Sequence, residues 1–399
     1  MYNKSINFYS DHIDTSFIET EIKNLTKYFN FVNVYTFKKP EKKHTEANLK
    51  IHVIDFNDYK TSKAIIKNTW LTLKVLSSEI LKTRVYFKNI SILKKIISEW
   101  LRCNYVAEML FEKEKNNSEN NIYYTFWLND WSTILSIAKN KKYIPSFYSR
   151  CHGADLYEER IPITRKIPFR TFQLNHVDKL FTVSKKGALY LKNKYPKFKT
   201  KILSQYLGIE NNFQSNNNKS EVFTIVSCSE IRNLKRVYLV AEALTYINSN
   251  VKWIHIGYEN KNDNTYKIFS EQIEKLKSKE NIQIELKGFL DNNEVMEFYY
   301  NTPVDLFVSA SQIEGLPVSM MEAISFGIPV ISTDVGGCEE IVNSITGVLI
   351  EKNFNPKELA EIIEDLTLNY PFNKYQIKNF WHNNFNNDSN FTSFLEQII

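Results

Sequence analysis

Glu314 and Glu322 stand eight residues apart within FVSASQIEGLPVSMMEAISFGIPVISTDVGGCEEIV, residues 307–342. The apolar run Val304, Leu306, Phe307 and Val308 gives way to Ser309, Ala310 and Ser311, the pattern of a buried parallel strand handing the chain to a tight loop. Glu314 and Gly315 fall in that loop, and Pro317 suits the first turn of a helix, where a missing N–H costs nothing. The helix carries Met320, Met321, Ala323 and Ile324 inward and stops at Gly327. Ile328 to Ser332 is a second short strand, and Gly336-Gly337 turns into another helix. Such a helix start aims backbone N–H groups and a positive dipole end at an anion. Glu322, one turn in, is placed to accept hydrogen bonds from two vicinal hydroxyls, as a ribose offers. Glu314 would reach hydroxyls nearer the phosphates. Lys235 can meet a diphosphate as a point charge. Together these residues describe a site for a nucleotide joined to a polyol. No Walker-type glycine–lysine motif is present, which disfavours hydrolysis of a nucleoside triphosphate. Two carboxylates also make a glycosidase acid and base, and spacing alone leaves that open, although a hydrolase needs no phosphate site beside them.

Around this stretch the second half alternates strands and helices. Val222 to Cys228 is a strand, followed by a loop with Arg232, Lys235 and Arg236 and a helix through Leu239, Val240, Ala243 and Leu244. Trp253 to Gly257 is a strand ending in glycine, Ile282 to Leu286 is another, and Lys287 to Leu290 is a turn holding Gly288 and Phe289. Arg232, Lys235 and Arg236, and the glycines at Gly257 and Gly288, thus fall at strand-to-loop turns along one edge.

The first half follows the same rhythm. Ser5 to Tyr9 is a strand, Asp14-Thr15-Ser16 can cap a helix through Phe17, Ile22 and Leu25, and Phe31 to Phe37 is the next strand. A β-α-β start of this kind suits a parallel sheet. Pro145 to Cys151 is a strand ending on His152-Gly153-Ala154-Asp155, and functional residues gather just past the carboxyl ends of strands in open α/β sheets. Asp155 would instead cap the following helix if this is only a turn. Asn211 to Ser220 is too polar to bury and is expected as the linker. The chain has 399 residues, which suits two domains of roughly 200 each. The expected division is an N-terminal domain over 1–210, a linker over 211–220 and a C-terminal domain over 221–375.

The charge is uneven. Residues 1–210 hold 36 Lys and Arg against 20 Asp and Glu, and residues 211–399 hold 15 against 25, within a net charge of +6. A basic half of this kind faces an anionic surface or is simply a lysine-rich exterior. No nucleic-acid motif accompanies it, so a membrane surface is favoured over nucleic acid. From about Ala64 to Lys113 the pattern is helical, amphipathic and basic, which fits helices packed on a sheet or a patch lying on lipid headgroups. The start of the chain lacks an apolar signal-type core, and no run of about 18 apolar residues occurs, so a cytoplasmic, peripheral protein is expected. Cys103, Cys151, Cys228 and Cys338 are scattered and read as reduced thiols, with neither a disulfide framework nor a zinc site.

These residues resemble the retaining glycosyltransferases of family 4. The resemblance is strongest over 304–342, where E-x7-E sits in VDLFVSASQIEGLPVSMMEAISFGIPVISTDVGGCEEIV. SRCHGADLYEER (149–160) and IPFR (167–170) look like the sub-group that builds capsular, exopolysaccharide or O-antigen chains, and VSCSEIRNLKR (226–236) is similar to the family's diphosphate loop. The resemblance implies an α/β GT-B fold, two Rossmann-like doubly wound domains facing across a cleft, with the C-terminal helix over 376–399 packing back on the first. It implies that Glu314 contacts the donor sugar, with Gly315, Leu316 and Pro317 supporting it, and that Glu322 holds the ribose. Gly288 and Phe289 would lie along the base, and His152 by the donor sugar. Lys235 would neutralise the leaving diphosphate, so that neither metal nor cofactor is expected. A glycan or lipid-linked acceptor is implied. Two positions depart from the family's pattern. Glu230 stands where an arginine usually precedes that lysine by five residues, leaving Arg232 or Arg236 to substitute. Thr15-Ser16-Phe17 replaces a glycine-rich loop, so that Thr15, Ser16 and Asp155 are the acceptor-side candidates. An epimerase of the same fold, or a non-catalytic partner with a decayed site, are the alternative readings.

Overall fold

The computed structural model describes residues 2–55, 69–82, 89–112, 120–160, 168–213, 221–261 and 263–399. Most of the expected linker lies outside these residues, as do Ile65 and Ile167. The chain forms two compact units, Met1–Gln205 with Leu395–Ile399, and Tyr206–Phe394.

The first unit is built on strands β1 (Tyr2–Tyr9), β2 (Phe29–Thr36), β3 (Leu49–Val53), β4 (Asn121–Thr125), β5 (Tyr148–Cys151), β6 (Lys179–Thr182) and β7 (Ile202–Ser204). They form one parallel sheet in the order β3-β2-β1-β4-β5-β6-β7. The second unit has β8 (Phe223–Cys228), β9 (Val251–Ile256), β10 (Ile282–Gly288), β11 (Leu306–Ser309), β12 (Val330–Thr333) and β13 (Gly347–Ile350), parallel in the order β10-β9-β8-β11-β12-β13. Central strands are buried on both faces by helices, so they read as apolar runs: Leu306 to Val308 and Val330 to Thr333 are all buried. The edge strand β10 is polar instead, with Glu285 held between Lys252 and Lys287 at 2.8 and 2.5 Å, which blunts an open edge.

In each sheet the strand order reverses at one place, between β1 and β4 and between β8 and β11. The helices leaving neighbouring strands there go to opposite faces, which opens a crevice beyond the carboxyl ends. Both units are thus Rossmann-like and doubly wound.

Among the described residues of the expected helical stretch 64–113 are the helices Thr69–Lys82 and Ile90–Phe111, the second started by Asn89, whose side chain accepts from Ser91 and Ile92 N–H. Two boundaries differ from the expected ones. The division falls between Gln205 and Tyr206 rather than at 210. The segment expected to pack on the first unit is itself divided. Lys374–Phe385 lies on the Val318–Ser325 helix of the second unit, burying Ile377, Trp381 and Phe385, and only Leu395–Ile399 groups with the first.

Candidate functional site

The reversal between β8 and β11 is where the second unit gathers its polar side chains. Two loops meet there. The chain leaving β8 turns at Arg232, whose carbonyl accepts from Lys235 and Arg236 N–H. The chain leaving β11 is tied to it by Gln312 N–H donating to the Leu234 carbonyl at 2.8 Å. This brings Lys235 Nζ within 2.5 Å of Glu314 Oε1 across 79 residues of sequence. Both side chains are largely shielded, with 21% and 11% of their surfaces exposed. Lysine and carboxylate therefore neutralise each other in the resting site.

Glu314 is held from behind by the Gly336-Gly337 turn. Gly337 N–H donates to the Gly315 carbonyl at 2.7 Å. Gly336 has φ +58°, and a Cβ there would lie 1.9 Å from the Glu314 carbonyl oxygen. Only glycine allows this approach. Gly257 has a similar task at the end of β9, where a Cβ would sit 1.8 Å from the Ser229 carbonyl oxygen.

Just beyond Glu314 the Val318–Ser325 helix begins. Pro317 is its N-cap, one position earlier than expected, and no side chain caps the helix start. The first N–H groups of a helix have no partner within it, so they are offered to a ligand beside Lys235. Glu322 lies on the same helix and is 5% exposed. Its Oε1 accepts from Asn292 Nδ2 at 2.5 Å. Burial raises its carboxyl to about 7, against the opposing pull of that amide. The thiol of Cys228, at the end of β8, is pushed up to about 12 by burial and by Glu322, with Lys235 pulling the other way. Glu322 and Lys235 thus flank the carboxyl end of β8. Such a set can receive a diphosphate on Lys235 and the helix start, and hydroxyls on two carboxylates.

Of the other expected donor residues, Leu316 is buried, Arg232 is exposed and pairs with Glu230 at 3.5 Å, and Gly288 turns at φ +70° before Phe289, which is 70% exposed. Arg236 is a correction. Its backbone is left-handed, at φ +50°, which turns the side chain inward. There Nε donates to the Ala310 carbonyl at 2.7 Å and a terminal nitrogen to those of Ser311 and Lys352 at 3.3 and 2.8 Å. It fastens the β11 loop and does not face the crevice, so Arg232 is the arginine left to offset Glu230.

In the first unit, His152 follows β5 and is buried between the rings of Phe126 and Trp127. Its Nε2–H donates to the Phe126 carbonyl at 3.0 Å, and burial together with Arg150 holds the ring down at about 3, so it is neutral. Asp155 is the second correction. Its Oδ1 accepts from His152 N–H at 2.5 Å and its Oδ2 from Leu128 N–H at 2.6 Å. Both oxygens are thereby committed to clamping two strand-end loops. Burial raises this carboxyl to about 6. Thr15 is the N-cap of the Ser16–Tyr28 helix, and Ser16 is exposed.

Sequence spacing gave no sign of Asn292, which orients Glu322 from 30 residues away. It also missed Asp11, just past β1. Asp11 Oδ2 accepts from Asn129 Nδ2 at 2.6 Å, and its carboxyl is raised to about 7 by burial and Asp130. Among the described residues no group of three or more His, Cys, Asp or Glu is arranged to hold a metal ion.

Comparison with known proteins gives these features a setting. Residues 208–380 match the family of glycosyl transferases group 1. The chain is 29% identical over 244 residues to an uncharacterized glycosyltransferase, MJ1178, of Methanocaldococcus jannaschii, covering 60% of this chain and 64% of that one. Over 58 residues it is 45% identical to the O-antigen biosynthesis glycosyltransferase WbnH of Escherichia coli, covering 14% of this chain and 17% of that one. The matched parts span less than two thirds of either relative. Among solved structures, HepE of Anabaena in complex with UDP superposes with a TM-score of 0.70 at 14% identity, covering 99% of each chain. That likeness shows the fold, which is of the GT-B type. The matched segment 208–380 has Lys235, Glu314 and Glu322 inside it.

Proposed function

We propose that this chain is a glycosyltransferase. It takes a sugar from a nucleoside-diphosphate donor bound at the carboxyl edge of the second sheet. It passes that sugar, with its anomeric configuration retained, to a lipid-linked or polysaccharide acceptor in cell-surface glycan synthesis at the cytoplasmic face of a membrane. One observation carries the reading: Lys235 and Glu314 pair at 2.5 Å beside an uncapped helix start that leads on to buried Glu322. The group 1 match over the same residues supports the activity, HepE in complex with UDP supports the donor class, and the relative named for O-antigen biosynthesis supports the acceptor class.

In this proposal the incoming diphosphate competes with Glu314 for Lys235. Lys235 and the helix start then face the diphosphate, supplying the positive charge without a bound cation. Glu314, released from its partner, accepts from hydroxyls of the donor sugar, and Glu322 accepts from the ribose. As the bond from the anomeric carbon to the diphosphate oxygen breaks, its electron pair stays on the diphosphate. The acceptor oxygen takes the vacated position from the same face and gives its proton to the departing diphosphate oxygen. Fixed charge aimed at a leaving group is among the larger catalytic effects, about 10² to 10³ in rate for one donor. His152 is neutral at working pH and offers a hydrogen-bonding nitrogen rather than a charge.

Glu230 favours a second reading, a chain that binds the donor but no longer transfers, because it sets a carboxylate in the diphosphate loop. Incubation with nucleotide-sugars and a membrane extract separates the two. Release of nucleoside diphosphate that depends on the extract supports transfer, and no release above background with any common donor overturns it. Conversion of a donor to a second nucleotide-sugar without any acceptor would instead mark an epimerase.

A further inference from the structure

The strand order of the first sheet reverses between β1 and β4, and the loops that leave these two strands lie side by side beyond their carboxyl ends. They meet at two places. Asp11 Oδ2 accepts from Asn129 Nδ2 at 2.6 Å, and the Phe17 ring meets that of Trp127 edge-on, with centroids 6.2 Å apart. Asp11, Thr15, Phe17 and Trp127 are half-buried, so each keeps part of its surface open. Three polar atoms in these loops stand out. Among the described residues, Asp11 Oδ1, Thr15 Oγ1 and Trp127 Nε1 are shielded from solvent and have no hydrogen-bond partner. Buried polar atoms are nearly always paired, and leaving one unpaired is costly. Together they supply an acceptor, a hydroxyl that acts either way and a donor, beside two aromatic rings. A sugar matches this set, because its hydroxyls donate and accept and its C–H faces lie against rings.

Charge narrows the kind of sugar. Burial and Asp130 raise the Asp11 carboxyl, and Asp155 adds to them; Arg102 opposes, but it is itself ion-paired with Asp130. Glu99 shares a hydrogen bond with Asp130. A phosphate or carboxylate on the ligand would add one more anion to this acidic group. An uncharged sugar instead gives the free oxygen of Asp11 a hydroxyl proton.

We infer that the first unit's crevice, through Asp11, Thr15 and Trp127, binds an uncharged acceptor sugar and rejects one that carries a carboxylate or phosphate beside the bound hydroxyls. This assignment rests on the proposed transfer, which calls for an acceptor without fixing its contacts or its charge.

Ligand-observed NMR on the full chain compares the methyl glycosides of glucose, galactose, mannose and N-acetylglucosamine with those of glucuronate and galacturonate. At least one neutral glycoside should saturate at tens of millimolar, and neither uronate should bind within tenfold of it. Asp11→Asn keeps an oxygen for Asn129 and turns the free oxygen into an N–H donor. It should keep the parent melting temperature, bind the neutral glycoside at least tenfold more weakly and narrow the gap to the uronates. A merely structural role would weaken neutral and charged glycosides alike. Trp127→Phe keeps a ring and deletes the N–H, and should bind at least threefold more weakly. No saturable glycoside, a uronate that binds as well as the neutral sugars, or parent-like affinity in either variant would overturn the inference. Extract-dependent release of nucleoside diphosphate tests the transfer separately. Release with no glycoside bound would overturn this site alone, and the expected glycoside pattern without release would overturn the transfer and leave the sugar site standing.

Discussion

Glu322 is buried on the Val318–Ser325 helix, and burial raises its carboxyl from 4.5 to about 7. The unfolded chain releases that proton near 4.5, so the folded state holds it more tightly. The sign follows from that difference. Glu322 costs nothing below about pH 4.5, costs steadily more as pH rises from 4.5 to 7, and costs a constant amount above that. One unit of difference corresponds to 1.36 kcal/mol, so the cost is about 3 kcal/mol at pH 8 and about 1 kcal/mol at pH 5. Glu322→Gln retains an oxygen that can accept from Asn292 and removes the ionisation. In urea denaturation the variant should exceed the parent protein in stability by about 3 kcal/mol at pH 8, with the gap narrowing to about 1 kcal/mol at pH 5. The gain should be accompanied by a loss. An amide offers a ribose one acceptor oxygen where a carboxylate offers two. UDP affinity should therefore fall at least tenfold, and the parent's affinity should itself weaken as pH drops below 7. A stability gap that does not change with pH would refute the argument from burial. UDP binding as tight as the parent's would refute the assignment of Glu322 to the ribose.

Other perturbations act at separate points. Gly336→Ala places a Cβ against the Glu314 carbonyl from a left-handed backbone, so a loss of about 3 kcal/mol is expected together with lower transferase activity. A melting temperature equal to the parent's would show that the turn yields without cost. Asp155→Ala deprives the buried N–H groups of His152 and Leu128 of their acceptor and should cost about 3 kcal/mol. UDP affinity, a property of the second unit, should not change in that variant, and a tenfold loss would contradict the reading of Asp155 as a clamp. His152 titrates at about 3, so His152→Asn should leave the shape of the pH–rate profile between pH 5 and 9 intact. A limb that disappears in that variant would show that the ring ionises during turnover.

Much of the second unit was legible because its signals are local. Small residues after an apolar run, Pro317 before a helix and a glycine pair at 336–337 mark a strand-end loop wherever they occur, and Glu314 and Glu322 lie within eight residues of each other. The two sheets followed from strands and helices in alternation. What escaped was set by backbone handedness or by distant partners. Arg232, Lys235 and Arg236 look alike as a basic loop, yet the left-handed turn at Arg236 sends that side chain to three carbonyls while Lys235 meets Glu314. Asp155 read equally well as a ligand or a cap, and only the approach of the Leu128 N–H, from another strand end, decides between them. Asn292 and Asp11 are oriented by contacts 30 and 118 residues away, which no spacing rule reaches.

In the proposed reaction the carboxyl edge of the second sheet binds the nucleoside diphosphate of a sugar donor through Lys235. Calorimetric titration of the whole chain with UDP, GDP and ADP, compared with Lys235→Ala, tests it directly. At least one of the three should saturate a single site per chain, and the variant should bind it at least tenfold more weakly, about 1.4 kcal/mol or more. Binding of none of them at millimolar concentration, or equal affinity in parent and variant, would contradict the claim.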